Sequence, residues 1–252
     1  MILIHQSYES SDPRRRRELA EARERNAAAD LFAVIETVDG GDRRASFADL
    51  FRLAADRFAG EVCVLANSDI ACDASLRLVE PLVAGDRPVL VALTRWDDAA
   101  GPSMEGRVDP VAWRFYSHSQ DAWAFVAGRL PEFPADFLLG IPGCETRMAY
   151  EAAAAGVRIV DPALSVRTWH LHASGTRTWT RRQTYGGPHL FPRLVTADES
   201  AGAGLVLQRS MWGSRETPVP STGDGHAFAA TLAARRRGGR IGLRSPLYVR
   251  WR

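Results

Sequence analysis

The chain contains no lysine; all 32 of its basic residues are arginine. That excludes a Schiff-base lysine and the lysine of a phosphate-binding loop, and with them two large classes of covalent and nucleotide chemistry. Cysteine is scarce. Cys63, Cys72 and Cys144 lie far apart with no C-x-x-C pair, so neither a disulfide framework nor a cysteine metal site is encoded. Cys63 sits in an apolar run, where a small buried hydrophobe is the expected role, and a reducing, cytoplasmic setting follows. Long apolar runs are missing too: none approaches the roughly 20 residues of a membrane helix, and the opening Ile2-Leu3-Ile4 is too short for a secretory signal. Acid and base nearly balance, at a formal net charge of +2, which gives no sign of a nucleic-acid partner. G-x-S-x-G, G-x-G-x-x-G after a strand, H-E-x-x-H and the phosphate-loop motif are all absent.

What is present can build a core. Of 252 residues, 46% are hydrophobic, enough for one domain with appendages. The first half alternates strand and helix patterns: strand 2–6, helix 13–29 opened by Asp12-Pro13, strand 31–38, helix 47–58 capped by Ser46, strand 61–66, helix 75–83 and strand 88–93. Such alternation predicts an α/β fold with a mainly parallel central sheet flanked by helices. Residues 96–120 read as a long functional loop, 122–126 as a short strand, 146–155 as an alanine-rich helix stopped by Gly156, and 157–160 and 166–172 as further strands. Beyond Trp179 the pattern weakens, with a strand expected at 203–208, a loop at 216–225, and an arginine-rich, acid-free tail from 235 that is open to disorder, to an acidic partner or to a docking strand around 247–249, and that offers a surface for peripheral membrane contact. Residues 1–195 are therefore expected to form the domain and 196–252 an irregular extension.

Four constellations could carry chemistry. The apolar run at 61–66 ends abruptly in Asn67-Ser68-Asp69, as a buried strand does when it delivers polar groups to the carboxyl edge of its sheet. Asp69 offers a hard anionic ligand for a divalent cation, and Asn67, two residues away, shares its face; a capped turn is the plain alternative. In Gly140-Ile141-Pro142-Gly143-Cys144-Glu145-Thr146-Arg147, a glycine-rich loop enters a helix. Glu145 stands where the helix dipole keeps a carboxylate ionised, as a general base or simply as a favourable helix-start charge. Arg147 is placed to pair with a phosphate or with a nearby acid. Third, His170 and His172 lie on one face of a strand, either as metal ligands or as satisfied core histidines, and Arg177 follows as a cation for a diphosphate. Fourth, Asp121 and Trp123 supply a carboxylate and a ring for a sugar or an acceptor, or else a strand start and a core aromatic.

In their order along the chain these segments resemble a GT-A-type glycosyltransferase of the nucleotide-diphospho-sugar transferase superfamily, and more closely a bacterial group of GT-A-like proteins. The resemblance covers roughly residues 1–195. It rests on the opening strand with its Arg-Glu-Leu helix and Asn26, Ser46-Phe47-Ala48-Asp49-Leu50, Asn67-Ser68-Asp69-Ile70, Gln120-Asp121-Ala122-Trp123, Gly143-Cys144-Glu145-Thr146-Arg147, His170-x-His172 and Gly187-Pro188. It implies that Asn67-Ser68-Asp69 occupies the place of the D-x-D motif, with Asn where the first acid would stand. It further implies that Asp69 with His170 or His172 holds Mg²⁺ or Mn²⁺, and that Asn67, Asp69 and Arg177 bind the donor diphosphate. Glu145 would then be the base on an acceptor hydroxyl, with Asp121, Trp123 and Arg147 contacting sugar or acceptor. The activity implied is transfer of a sugar from a nucleotide-diphosphate donor to a glycan or other hydroxyl, in a setting of bacterial polysaccharide assembly. A non-catalytic nucleotide- or glycan-binding domain is the reading from another class. On this view Asp69→Ala should abolish transfer and leave thermal stability nearly intact.

Overall fold

The computed structural model describes residues 1–39, 44–98, 101–102, 119–176, 179, 183–202, 205–208 and 216–219. In chain order these form β1 (Ile2–Ser7), α1 (Pro13–Ala28), β2 (Val34–Asp39), α2 (Phe47–Arg57), β3 (Val62–Ala66), β4 (Ile70–Cys72), a 3-10 turn (Ala74–Val79), α3 (Glu80–Val83), β5 (Val89–Thr94), β6 (Trp96–Asp98), β7 (Gly101–Pro102), β8 (Gln120–Val126), α4 (Cys144–Ala154), β9 (Arg158–Val160), β10 (Thr168–His170), β11 (His189–Pro192), β12 (Leu205–Gln208) and β13 (Glu216–Val219). The central sheet has the order β2-β1-β3-β8-β5-β9. It is mixed and mostly parallel: β8 alone runs against its neighbours β3 and β5. The sequence suggested only a short strand at 122–126. β8 instead spans seven buried residues in mid-sheet, and its reversal brings the start of β8 to the edge where β1, β3 and β5 end.

Side-chain alternation covers both faces of this sheet. Ile2, Ile4, Leu65, Trp123 and Phe125 face a core shared with α2 and α4, whereas Leu3, Val64, Ala122, Ala124 and Val91 face a second core with Leu76, Val79 and Val83. Phe47 meets Trp123 edge-on at 6.4 Å and Phe51 meets Phe125 at 5.1 Å; truncating one such aromatic to Ala costs roughly 3–5 kcal/mol. α2 starts where expected because Ser46 and Asp49 form a reciprocal cap. The helix expected at 75–83 is a 3-10 turn followed by the short α3. Pro81 lacks the N–H that would continue the ladder, which breaks the element at that point. Gly156, at φ +92°, takes the left-handed position that ends α4.

Two smaller sheets complete the architecture. One has the order β4-β10-β6-β7, with β10 antiparallel to β4 and parallel to β6. The other is β11-β12-β13, which pairs residues 189–192 with 205–208, and 205–208 in turn with 216–219, so backbone bonding crosses residue 195. β13 lies where a loop was expected. Pro218 is tolerated because, among the described residues, β13 is an edge strand of that sheet. The arginine-rich tail lies outside the described residues. Among the described residues, no helix is long and apolar enough to cross a membrane.

Candidate metal centre and its carboxyl flank

The turn after β3 is closed by a hydrogen bond from Ile70 N to Asn67 O at 3.1 Å, which sets Asp69 at the head of β4. β4 is held from α1. Asn26, buried on the same helix stripe as Arg15, Leu19 and Ala22, donates to Ile70 O and accepts from Cys72 N, both at 2.8 Å. β10 then pairs with β4 so that His170 lies opposite Ile70, and Leu171 N donates to Asp69 O at 2.9 Å. A pair of short strands thus brings Asp69 together with His170 and His172, far apart in sequence, at one point.

Three cationic or imidazole groups converge there on a single oxygen. Asp69 Oδ2 is 2.6 Å from an Arg15 guanidinium nitrogen, 3.3 Å from His170 Nε2 and 3.4 Å from His172 Nδ1. One ligand atom from each of Asp69, His170 and His172 lies within 4.8 Å of the others. The outer nitrogens of both rings are engaged: His170 Nδ1 contacts Asp97 Oδ1 at 3.0 Å and His172 Nε2 contacts Thr176 O at 3.0 Å. A carboxylate and a carbonyl only accept, so each outer nitrogen must be the N–H. In its neutral form each ring then turns a lone pair toward Asp69. Two lone pairs facing a carboxylate oxygen repel unless a cation or protons lie between them. Donors about 2.1 Å from a common ion, at octahedral to tetrahedral angles, stand roughly 3.0–3.4 Å apart, and the two oxygen–nitrogen separations fall in that range. Asp69, His170 and His172 can therefore hold a divalent cation. Two imidazoles and one carboxylate suit Mn²⁺, Fe²⁺ or Zn²⁺ better than an all-oxygen preference such as Mg²⁺ or Ca²⁺.

The electrostatics agree with a site built around positive charge. Without an ion the rings donate to Asp69 only when protonated: burial would raise the Asp69 carboxyl, but hydrogen bonds from His170 and His172 in that form, with the charges of His170 and Arg15, hold it well below the usual carboxylate range. Burial works to lower His170, yet its bond to Asp69 and the charges of Asp121 and Asp69 raise it above its ordinary value. Arg15 is itself enclosed: Nε donates to Tyr8 Oη at 2.7 Å, and NH1 to Glu18 Oε2 at 3.1 Å and Leu171 O at 3.3 Å. Glu18 in turn accepts from Ser174 N and Oγ, tying the segment after His172 to α1. This corrects the expectation for Asp69→Ala. Asp69 and Arg15 form a buried pair, with side chains 9% and 6% exposed, and removing one partner of such a pair costs roughly 3–5 kcal/mol. Asp69→Asn is the variant that keeps volume and an acceptor for Arg15.

A second group flanks the first. Asp121, brought in by the reversed β8, accepts from Asn67 Nδ2 at 2.6 Å and from Arg95 NH1 at 2.9 Å. Asn67 therefore turns to Asp121 and not to the atom shared by Asp69 and the histidines. Glu145 lies within reach of the Asp121 charge, at the start of α4, where Gly143 at φ +85° makes the turn into the helix. Its protonation differs from the sequence expectation. Burial, then the charge of Asp121, push the Glu145 carboxyl well above the usual range, and the helix start does not outweigh them.

Trp123 and Arg147 take the plainer of their two expected roles. Trp123 is 1% exposed and packs in the core. Arg147 pairs with Glu151, donates to Pro188 O at 3.1 Å and lies over the Tyr150 ring at 5.0 Å, the nearby-acid alternative. Arg177 lies outside the described residues. Arg15, Tyr8, Glu18, Arg95 and Asp97 did not stand out in the sequence. Arg15 is one of four consecutive arginines; only its spacing of four, seven and eleven from Leu19, Ala22 and Asn26 marks it as the inward-facing one. Comparison with known proteins identifies no relative: no protein-family model, no curated protein and no solved structure matches the chain.

Proposed function

We propose that this chain is a metal-dependent glycosyltransferase of GT-A type, moving a sugar from a nucleoside-diphosphate donor to an acceptor hydroxyl. The observation that carries the reading is the convergence of Asp69, His170 and His172 at the carboxyl edge of a mixed α/β sheet, with both imidazoles oriented from behind and Asp121 held alongside by Asn67 and Arg95. When bound, a divalent ion at these three residues would offset the charge of a departing diphosphate. Arg15 keeps Asp69 ionised and in place; Arg177 is the proposed further cation for the diphosphate. Glu145 takes the acceptor proton. Its raised proton affinity makes it the stronger base once ionised, and the buried site keeps water from levelling that strength. Asp121 binds sugar or acceptor hydroxyls beside it. Asn67 serves the donor side indirectly, by fixing Asp121. Trp123 backs the strand that carries Asp121, and Arg147 would reach an acceptor only by leaving Glu151.

The test is calorimetry with UDP-, GDP- and dTDP-sugars, with and without Mn²⁺, followed by detection of released nucleoside diphosphate. Expected are Mn²⁺-dependent binding that is lost in Asp69→Asn, and turnover lost in Glu145→Gln with binding retained. No binding of any nucleoside-diphosphate sugar in the presence of Mn²⁺ would end the assignment. Binding with no turnover would favour a non-catalytic domain.

A further inference from the structure

Between the cation group and the carboxyl flank stands one side chain that touches both. Arg95, just after β5, places Nε 3.1 Å from Asp97 Oδ1 and NH1 2.9 Å from Asp121 Oδ2. Asp97 Oδ1 is the same atom that receives His170 Nδ1 at 3.0 Å. A chain of contacts therefore runs from Asp69 through His170, Asp97 and Arg95 to Asp121, and the charge of Asp121 reaches Glu145. The guanidinium is suited to this position: it is always charged, planar, and donates in two directions from separate nitrogens, whereas a lysine would be a single point charge. Arg95 is 16% exposed and Asp121 9%, so the Asp121 contact is little screened; Asp97, at 47%, depends more on being held. The Arg95 charge also acts on Glu145, working to lower it.

We propose that Arg95 is a positioning residue that makes one unit of the two halves, holding Asp97 against His170 while it fixes Asp121, so that neither half is arranged without the other. The proposal rests on the metal reading given above, and its test separates the two. Arg95→Met and Asp97→Asn are compared with the wild type in calorimetric titration with Mn²⁺ alone. The Glu145 midpoint is read by ¹³C NMR of glutamate-labelled protein, with Glu145→Gln to assign the signal. The groups that act on that carboxyl are Asp121 from β8 and Arg95 from the segment after β5, through their charges, and Cys144 on its own helix, through a hydrogen bond.

Loss of a partner behind a metal-ligating histidine lowers affinity about 10- to 100-fold. Arg95→Met should therefore weaken Mn²⁺ binding on the order of 10-fold and also move the Glu145 midpoint upward, because a stabilising positive charge is gone. Asp97→Asn should weaken Mn²⁺ binding comparably and leave the Glu145 midpoint in place, and the double variant should bind no more weakly than Asp97→Asn alone. Arg95→Lys should restore at most one of the two effects. If Arg95→Met does not fold, Arg95→Gln replaces it with the same expectations. Wild-type Mn²⁺ affinity in the Arg95 variant, or weakened affinity with an unmoved Glu145 midpoint, overturns the proposal. A wild-type protein that binds no Mn²⁺ removes the metal reading itself, a different result.

Discussion

Replacing Asn67 by Asp would restore the acid that the D-x-D resemblance leads one to expect at that position, and the geometry says the protein should resist it. Asn67 Nδ2 donates to Asp121 Oδ1 at 2.6 Å. A carboxylate there would face another carboxylate at contact. With an effective dielectric of about 20, two unit charges roughly 3 Å apart repel by about 5–6 kcal/mol. The variant has a cheaper course, which is to take up a proton so that its O–H donates as the amide did. From an unfolded value near 3.9, holding that proton at pH 7 costs about 4 kcal/mol. The sign follows from linkage. The introduced group has its folded value raised above its unfolded one, so its stability contribution is whole below about pH 4 and is lost as pH rises through the folded value. Urea denaturation of wild type and Asn67→Asp at pH 5, 6 and 7 should show a deficit that grows by about 1.4 kcal/mol per pH unit. Asn67→Ala is the control: it loses one hydrogen bond to a charged group, about 1.5–3 kcal/mol, with no such slope. An Asn67→Asp deficit equal at pH 5 and pH 7 would mean that Asn67 does not face an anionic oxygen, and the assignment of Asp121 to the site would lose its support.

Two further expectations follow from the same site. Glu145 has its folded proton affinity raised by burial and by Asp121, so it favours the fold below about pH 4.5 and disfavours it progressively as pH rises through its folded value. Glu145→Gln should therefore match the wild type near pH 4.5 and become the more stable protein above neutrality; a constant gap in thermal midpoint from pH 5 to pH 8 would contradict this. Asn26→Ala removes both buried bonds that hold β4, at roughly 1–3 kcal/mol each, and should weaken Mn²⁺ binding although Asn26 touches none of the three ligands. Calorimetry showing wild-type Mn²⁺ affinity in a folded Asn26→Ala protein would show that β4 is placed by other contacts.

Much of the α/β half could be read in advance because its signals are local. Ser46 and Asp49 sit three apart before an apolar stripe and do cap α2; Asp73 caps the turn that follows it; Gly156 ends α4. The small strands were harder. β4 and β10 have three residues each, too few for a period, and exist because each satisfies the other's backbone. The direction of β8 was not visible at all, since alternation reads the same from either end. Yet that direction decides whether Asp121 arrives at the site edge or at the far one.

The sequence alone determined which chemistry was available: no lysine, no paired cysteines, a carboxylate ending an apolar run, two histidines two apart, and an acid at a helix start. Those follow from residue identity and short-range spacing. Tertiary structure decided how they are used. It placed Arg15 and the two imidazoles on one Asp69 oxygen, turned Asn67 toward Asp121, packed Trp123 in the core, paired Arg147 with Glu151, and raised the proton affinity of a glutamate that its helix position would have lowered. The physical reason is that burial and through-space charge depend on which distant segments become neighbours, and spacing along the chain carries no record of that.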